Sequence, residues 1–220
     1  MPTVQTLALS LIVAFSLACS SGPPEESVLT SFVNAVQAGD DAAAAQVSVV
    51  QFPGDVSTWE IVEVSPESSA PFQLANLLKE RLAMVKKLES MVAKNDLYIQ
   101  DNEELFYEHK ASKDKDSETE FTGDLKEFDE EFTARMKEQN GLDQEIREAG
   151  KVIDAVKKAA ALSTGTPGLG SSYDGDVLAR EAKVKFDDKN YTVTFKQYAL
   201  INTEHNIRPI SRWIITDIRE

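Results

Sequence analysis

The stretch VLAREAKVKFDDKNYTVTF, residues 177–195, decides the fold that the sequence predicts. In its first half apolar side chains alternate with lysines, and in its second half they alternate with threonines, which is the period-two pattern of strands with one apolar face. Between the halves, residues 187–190 (DDKN) supply turn-forming side chains. The stretch therefore predicts an antiparallel β-hairpin. Its apolar positions are Ala182, Val184, Phe186, Tyr191, Val193 and Phe195.

Shorter patterns on both sides of this hairpin predict the remainder of an α+β unit. On the carboxyl side, the pattern from Ile210 to Ile218 predicts a third strand. On the amino side, Ser27 to Ala38 has helical spacing and ends at a Gly-Asp pair, and Ala42 to Val47 predicts a second short helix. Thr58 to Val64, rich in β-branched residues, predicts a first strand.

A long helical region separates the first predicted strand from the hairpin. From Phe72 to Val92 apolar residues recur every three or four positions, and the same period runs from Phe121 to about Leu162 with a pause at Asn140-Gly141. Between these helices the charged run Lys110 to Glu120 (KASKDKDSETE) is typical of a solvated tip. We therefore expect a long antiparallel helical hairpin inserted after the first strand. Its aromatic stripe (Phe121, Phe128, Phe132) is expected either to bind a partner or to pack on Leu78, Leu82, Leu88 and Met91 of the opposite helix.

The two ends of the mature chain resemble small bacterial lipoproteins of the nuclear transport factor two-like fold. The resemblance lies in the helix that ends in Gly39-Asp40, in the second helix after it, and in the terminal strand RWIITDI, residues 212–218. It implies N-terminal helices packed on a curved antiparallel sheet. The helical region of about 90 residues departs from that pattern and marks the hairpin as an insertion.

The first 20 residues resemble the signal sequence of a bacterial lipoprotein. An uncharged run from Leu7 to Ala18 is too short to span a bilayer, which takes roughly 20 apolar residues, but it suits the apolar core of a secretory signal. It ends in Ser16-Leu17-Ala18-Cys19, a cleavage box with a small residue before the only cysteine of the chain. The resemblance implies cleavage after Ala18 and attachment of acyl chains, such as palmitate, at Cys19. Ser20, in place of a retaining aspartate, implies the outer rather than the inner membrane.

These patterns divide the chain into a 1–18 signal peptide, a 19–26 lipidated tether, a base made of 27–66 and 171–220, and a 67–170 helical hairpin with its linker. The alternatives are an ordinary signal peptide that leaves Cys19 as a spare thiol, and cleavage at another position.

Charge is concentrated in the predicted hairpin. The chain carries a net charge of −14, and Asp101 to Glu131 holds thirteen acidic residues against four lysines, a net charge of −9. Nucleic-acid backbones are bound by clustered Lys and Arg, so this composition excludes nucleic acid as a partner. It favours a protein partner with a basic surface, or self-association of the hairpin.

Motifs for catalysis and for metal binding are weak in this sequence. Its two histidines, His109 and His205, fall in polar segments, and no nucleophile elbow or zinc signature occurs. The acidic alternation from Asp114 to Glu120 lacks the glycine and the final glutamate of a calcium loop, and 165–172 (GTPGLGSS) has glycines but no lysine after them. We therefore expect neither an enzyme nor a cofactor or metal. If the protein were an enzyme, the candidate catalytic side chains would be His205, Asp55 and Glu60.

The function predicted from these observations is that of a non-enzymatic cell-envelope lipoprotein, whose acidic hairpin serves as an interaction or structural arm. The alternative is a module that binds a small molecule or lipid on the concave apolar face of the sheet. The candidate lining residues for that alternative are Phe186, Tyr191, Phe195, Tyr198 and Trp213.

Overall fold

The computed structural model describes residues 23–52, 54–115 and 120–220, and it combines α-helices with an antiparallel sheet. The α+β class is therefore confirmed. The predicted signal peptide and Cys19 lie outside the described residues. In chain order the elements are α1 (Pro24–Gln37), α2 (Asp41–Ala44), β1 (Trp59–Val64), β2 (Ser68–Pro71), α3 (Leu74–Asp101), α4 (Glu103–Lys115), α5 (Asp124–Thr164), β3 (Tyr173–Phe186), β4 (Lys189–Asn202) and β5 (Ile214–Arg219).

The hairpin of β3 and β4 forms the centre of the sheet. The strands lie in the order β1-β3-β4-β5, and β2 continues along the same side of β3 as β1. Pairing of β3 with β4 runs without interruption from Phe186 opposite Lys189 to Tyr173 opposite Asn202. The predicted hairpin is thus confirmed, and it extends well beyond residues 177–195.

The turn between β3 and β4 is fixed by a carboxylate. Asp187 adopts a φ of 49°, a left-handed conformation that aspartate tolerates better than most residues. Its Oδ1 accepts hydrogen bonds from the backbone N–H of Thr58 at 2.8 Å and of Ser57 at 3.1 Å. The turn is therefore tied to the segment that leads into β1.

A first core lies under α1. Leu29, Phe32 and Val33 of this helix are almost fully buried, and their three- and four-residue spacing places them on one face. That face packs on the alternating apolar residues of the sheet. The buried sheet residues are Ala182, Val184, Phe186, Val193, Phe195 and Ile215.

A second core lies on the opposite face of the same sheet. Directly paired residues share a face, and Tyr198 and Leu200 are offset by an odd number of positions from Phe195, so they point away from α1. They are covered by Leu74 at the start of α3 and by the last turns of α5. The other buried members of this core are Phe72, Ile153, Ala159, Ala160, Leu169 and Ile214.

Several predicted boundaries are wrong, most of them because tertiary contacts extend the elements. Residues 24–26, assigned to the tether, form the first turn of α1, and Ser68–Pro71, assigned to the hairpin insertion, is a strand paired with β3. The helices accordingly follow two strands rather than one. The expected pause at Asn140-Gly141 is absent from α5, and part of the expected tip is helical because α4 packs on α5. The last strand begins at Ile214, four residues later than expected.

Candidate interaction site

The helices α3 and α5 pack antiparallel along their length. Gly150 of α5 lies against the Arg81 side chain of α3, and farther along the pair the buried Asn95 donates a hydrogen bond of 2.8 Å to Gln139. Tyr98 then stacks on Phe128 near the start of α5. We call residues 82–149, which lie beyond the contact of Arg81 with Gly150, the arm.

An aromatic cluster holds the three helices of the arm together. Tyr98, at the end of α3, is nearly parallel to Phe128, with ring centroids 5.6 Å apart, and Phe128 is stacked on Phe132 at 5.5 Å. Phe106 of α4 meets Phe132 edge to face at 5.8 Å. Such pairs contribute about 0.5–1.5 kcal/mol each beyond the burial of their surface. The aromatic cluster comprises Tyr98, Phe106, His109, Phe121, Phe128 and Phe132.

The expected packing of this aromatic stripe on Leu78, Leu82, Leu88 and Met91 is wrong for Phe128 and Phe132. In an antiparallel pair the start of α5 meets the end of α3 and not its first turns, so the phenylalanines contact Tyr98 and α4 instead. Leu82, expected in the interface, is more than half exposed.

His109 lies inside the aromatic cluster and not in a solvated tip. Its Nε2 is 2.7 Å from Oδ1 of Asp129, and its side chain is only 12% exposed. The ring also contacts Phe121, Phe128 and Phe132 at centroid distances of 5.1 to 5.8 Å. A histidine paired with a carboxylate between aromatic rings fixes the position of α4 on α5, which is a structural role.

Cations border the same cluster. The Arg135 guanidinium lies 4.4 Å from the centre of the Tyr98 ring, and its Nε is 2.7 Å from Glu131. Lys113 lies 5.1 Å from the centre of the Phe121 ring. Burial raises the pKa of the Tyr98 phenol, and the carboxylate of Glu131 raises that pKa further. The tyrosine therefore remains a neutral phenol at physiological pH.

The outer surface of the arm is densely anionic. Within its described part between Asp101 and Glu131, Asp129 alone among the acidic residues is half-buried, and the others are exposed. The exposed ones are Asp101, Glu103, Glu104, Glu108, Asp114, Glu120, Asp124, Glu127, Glu130 and Glu131. Charged side chains on a scaffold that is fixed from inside can present a constant anionic field to a partner.

A shallow groove of about 760 Å³ runs along α5 next to the aromatic cluster. Its lining includes His109 and Lys113 of α4 and Phe132, Met136 and Gly141 of α5. The groove gives the arm an apolar strip beside its acidic surface.

The structure brings four of the five candidate ligand-binding residues of the sheet to the first core and places the fifth on the opposite face. Phe186 and Phe195 are buried in the first core under α1, and Tyr191 packs beside them against Phe52. Tyr198 belongs to the second core on the opposite face, where burial raises its pKa to about 12. Trp213 is half-buried and packs against the first core, and its ring lies 5.4 Å from the Arg180 guanidinium. A cavity of about 360 Å³ reaches Phe186 and Tyr191 but none of the other three.

The candidate catalytic side chains are also separate. His205 lies in the loop after β4, where its backbone N–H donates to Asn202, whereas Glu60 lies on β1 and Asp55 precedes that strand. All three side chains are exposed. In the described ranges, no group of three or more His, Cys, Asp or Glu side chains is arranged to hold a metal ion.

Sequence reasoning missed a buried ion pair at the start of α1. Glu25 is 1% exposed, and its Oε1 is 2.7 Å from Nη1 of Arg180, while Nη2 of the same arginine is 3.0 Å from Glu67. These two carboxylates raise the pKa of Arg180 against the opposing effect of burial. The signal was present in residues 23–26 (PPEE), because proline at the first helical position followed by acidic residues is typical of a helix start.

Comparisons with protein-family models, with curated proteins and with solved structures found no match to this chain. Of the helices in the described part of the chain, none is both long enough and apolar enough to cross a membrane.

Proposed function

We propose that this protein is a non-enzymatic cell-envelope lipoprotein, anchored through acylated Cys19, whose arm binds a protein with a basic surface. The observation that carries the proposal is the separation, within the arm, of residues that hold its helices together from charged residues on its surface. Its aromatic and polar pairs face inward, and its carboxylates face solvent. Opposite charge on a partner would raise the rate of encounter, since long-range attraction steers association.

The base is proposed to be a unit of the nuclear transport factor two-like type, with α3, α4 and α5 as its insertion. Packing of α1 on one face of an antiparallel sheet supports this assignment. The position of the helices between β2 and β3, two strands that pair with each other, supports the insertion. Ligand binding by the sheet would require displacement of α1 from Val193 and Phe195, which are fully buried beneath it.

Photo-cross-linking in intact cells tests the arm. A photoreactive amino acid replaces Tyr107, which is 60% exposed on α4, and the matched control replaces Val62, which is 61% exposed on β1. We expect the arm position to yield an adduct with a second protein and the sheet position to yield none. Adducts formed only with another copy of this chain would show that the arm self-associates and does not bind a different protein.

Charge neutralisation tests whether the acidic surface drives that contact. The variant Glu104→Gln, Glu108→Gln, Glu120→Gln removes three exposed charges from the arm, and Glu60→Gln, Asp188→Asn, Glu204→Gln removes three exposed charges from the base. The first variant should lower the adduct yield at Tyr107 several-fold, and the second should leave it unchanged. Equal yields from both variants would contradict electrostatic recognition.

Shortening of the arm gives an independent test. Residues 82–149 are replaced by a short glycine-rich linker between Arg81 and Gly150. A short linker can join them because the Arg81 side chain lies against Gly150 in the helix pair. This variant retains Leu74, Ile153, Ala159 and Ala160, so the second core keeps its helical cover. Binding of the partner should be lost while the base remains folded by circular dichroism.

The anchor is tested separately by mass spectrometry of the membrane fraction. We expect an amino-terminal peptide that begins at Cys19 and carries acyl chains. Cys19→Ala should release the protein from membranes. An uncleaved chain, or a mature terminus elsewhere, would contradict the anchor but leave the properties of the arm untouched.

A further inference from the structure

The loop between β4 and β5 displays two isoleucines to solvent. Ile210 is 93% exposed and Ile207 is 61% exposed. Arg208 and Pro209 lie between them, Arg212 follows, and both arginines are exposed. Apolar tips flanked by cations are the composition of segments that rest in the interface of a bilayer.

The backbone of this loop is held at both ends. The N–H of Asn202 donates to Ile207 O at 2.8 Å, and the Asn202 side chain accepts from the N–H of Glu204 and His205 at 3.0 Å. At the other end, Ser163 of α5 donates its hydroxyl to Arg212 O at 2.6 Å and accepts, through its own carbonyl, the N–H of Arg212 at 2.9 Å. The isoleucines are therefore presented by a fixed scaffold.

The loop lies near the point at which the amino-terminal segment joins the base. Glu25, in the first turn of α1, pairs with Arg180 at 2.7 Å, and Arg180 lies 5.4 Å from the Trp213 ring. Ile210 is three residues before Trp213, so their Cα atoms are at most about 11 Å apart. An acylated Cys19 would be separated from Pro23 by a chain that reaches at most about 15 Å. This end of the base would accordingly be held close to the bilayer surface.

We propose that Ile207 and Ile210 insert into the interface of an anionic phospholipid bilayer, with Arg208 and Arg212 placed on lipid phosphates. The inference rests on the proposed anchoring at Cys19 and deepens it by assigning an orientation to the base. A short tether raises the effective concentration of the loop at the surface, so two side chains suffice for contact. The acidic arm is repelled by the same surface and points away from it.

The test uses tryptophan fluorescence of the full chain on vesicles. Cys19, the only cysteine, is coupled to a maleimide lipid in vesicles of phosphatidylcholine and phosphatidylglycerol, which supplies the tether whether or not cells acylate it. Ile210→Trp reports on the loop, and Val62→Trp on β1 is the matched control because both positions are exposed. The wild-type chain gives the contribution of Trp59 and Trp213, and circular dichroism verifies the fold of each variant.

We expect the Ile210→Trp emission to shift to shorter wavelength and to be quenched by lipids brominated in their acyl chains, with no such change for Val62→Trp. Addition of Arg208→Gln and Arg212→Gln should weaken the quenching on vesicles that contain phosphatidylglycerol more than on phosphatidylcholine alone. Absence of quenching in protein that floats with the vesicles would overturn the insertion, while the arm proposal would stand. Equal quenching at both positions would overturn the orientation.

A photoreactive residue at Ile210 in intact cells separates a lipid from a protein contact. Adducts with phospholipid support the proposal. A dominant adduct with a protein would overturn it, because the loop would then be covered by that protein.

Discussion

The base and the arm are stabilised by different kinds of contact. In the base, Val193, Phe195 and Ile215 are completely buried between strands and α1, and the opposite face of the sheet carries a second apolar core. In the arm part of α3, by contrast, the buried residue is the polar Asn95, and the aromatic cluster is reached by solvent at several of its members. The base is stabilised mainly by apolar burial. Among the described residues of the arm, only Phe128, Leu142 and Ile146 are buried apolar side chains, and the arm otherwise depends on pairs of specific partners.

This difference follows from geometry. A sheet with helices on both faces encloses side chains on two sides, whereas two or three helices in a row bury only the stripe along their contact. We therefore expect the arm to open locally at a lower free energy than the base unfolds.

The largest effect is expected from truncation of a central core side chain in the base. Phe195→Ala should lower the free energy of unfolding by about 3–5 kcal/mol, because it leaves a cavity between α1 and the sheet. The matched change in the arm is Phe128→Ala, which removes a similarly buried ring from the aromatic cluster. Denaturant unfolding should show a global loss for Phe195→Ala. Hydrogen exchange should show faster exchange confined to 95–140 for Phe128→Ala.

Equal global losses from the two phenylalanine substitutions would show that base and arm unfold as one cooperative unit. Such a result would remove the physical distinction between them. It would also make the shortened-arm variant an unsuitable test of function.

The next largest effect is expected at the buried ion pair that attaches α1 to the sheet. Arg180→Met leaves the carboxylate of Glu25 buried without its partner, and loss of one member of such a pair lowers stability by about 3 kcal/mol. The position of Glu25 in the first turn of α1 partly compensates, since the helix dipole favours an anion there. Thermal unfolding should show that the double variant Glu25→Gln, Arg180→Met is more stable than Arg180→Met alone. A double variant that is less stable would indicate that the pair is not coupled.

The contrast between base and arm also explains which features the sequence could predict. The hairpin of β3 and β4 was predictable because Ala182, Val184 and Phe186 follow the strand period on one buried face. The helices α3 and α5 were predictable from their long apolar stripes. Local patterns of this kind need no knowledge of the partner element.

Features that depend on distant partners were not predictable. Tyr198 follows Phe195 closely in sequence, yet the pleat places the two on opposite faces, and only the position of α5 shows that both faces are covered. His109 sits in a polar run and is buried by phenylalanines some 12 to 23 residues away along the chain. The short strand Ser68–Pro71 was missed because its sequence has little apolar pattern. Its formation depends on hydrogen bonds to β3.

A smaller effect is expected from the buried polar pair in the arm. Asn95→Ala leaves the Gln139 amide without its 2.8 Å partner and should destabilise the arm by about 1–3 kcal/mol. Replacement of both residues by leucine should be nearly neutral, since it removes the unpaired polar groups together. Hydrogen exchange of amides near 95 and 139 is the measurement. If Asn95→Ala proves as stable as wild type, the pair contributes nothing and the arm is held by its apolar and aromatic contacts.

The smallest effect is expected at the turn of the base, and it depends on pH. Hydrogen bonds from the backbone N–H groups of Thr58 and Ser57 hold the pKa of Asp187 below its ordinary value of 3.8. A carboxylate with a lowered pKa in the folded state contributes stability at neutral pH, and this contribution is lost as the pH falls through the folded-state pKa. Asp187→Asn should therefore have a lower melting temperature than wild type at pH 7, and the difference should shrink as the pH falls below 3.8 and through the lower folded-state pKa.

The substitution Asp187→Asn also tests the comparison of base and arm, because it lies in the base. Hydrogen exchange of wild type and variant at the same pH should differ at the turn and at the start of β1, where Thr58 and Ser57 lose their carboxylate acceptor, and should be the same in the arm. A change of exchange in the arm would show that base and arm do not open independently.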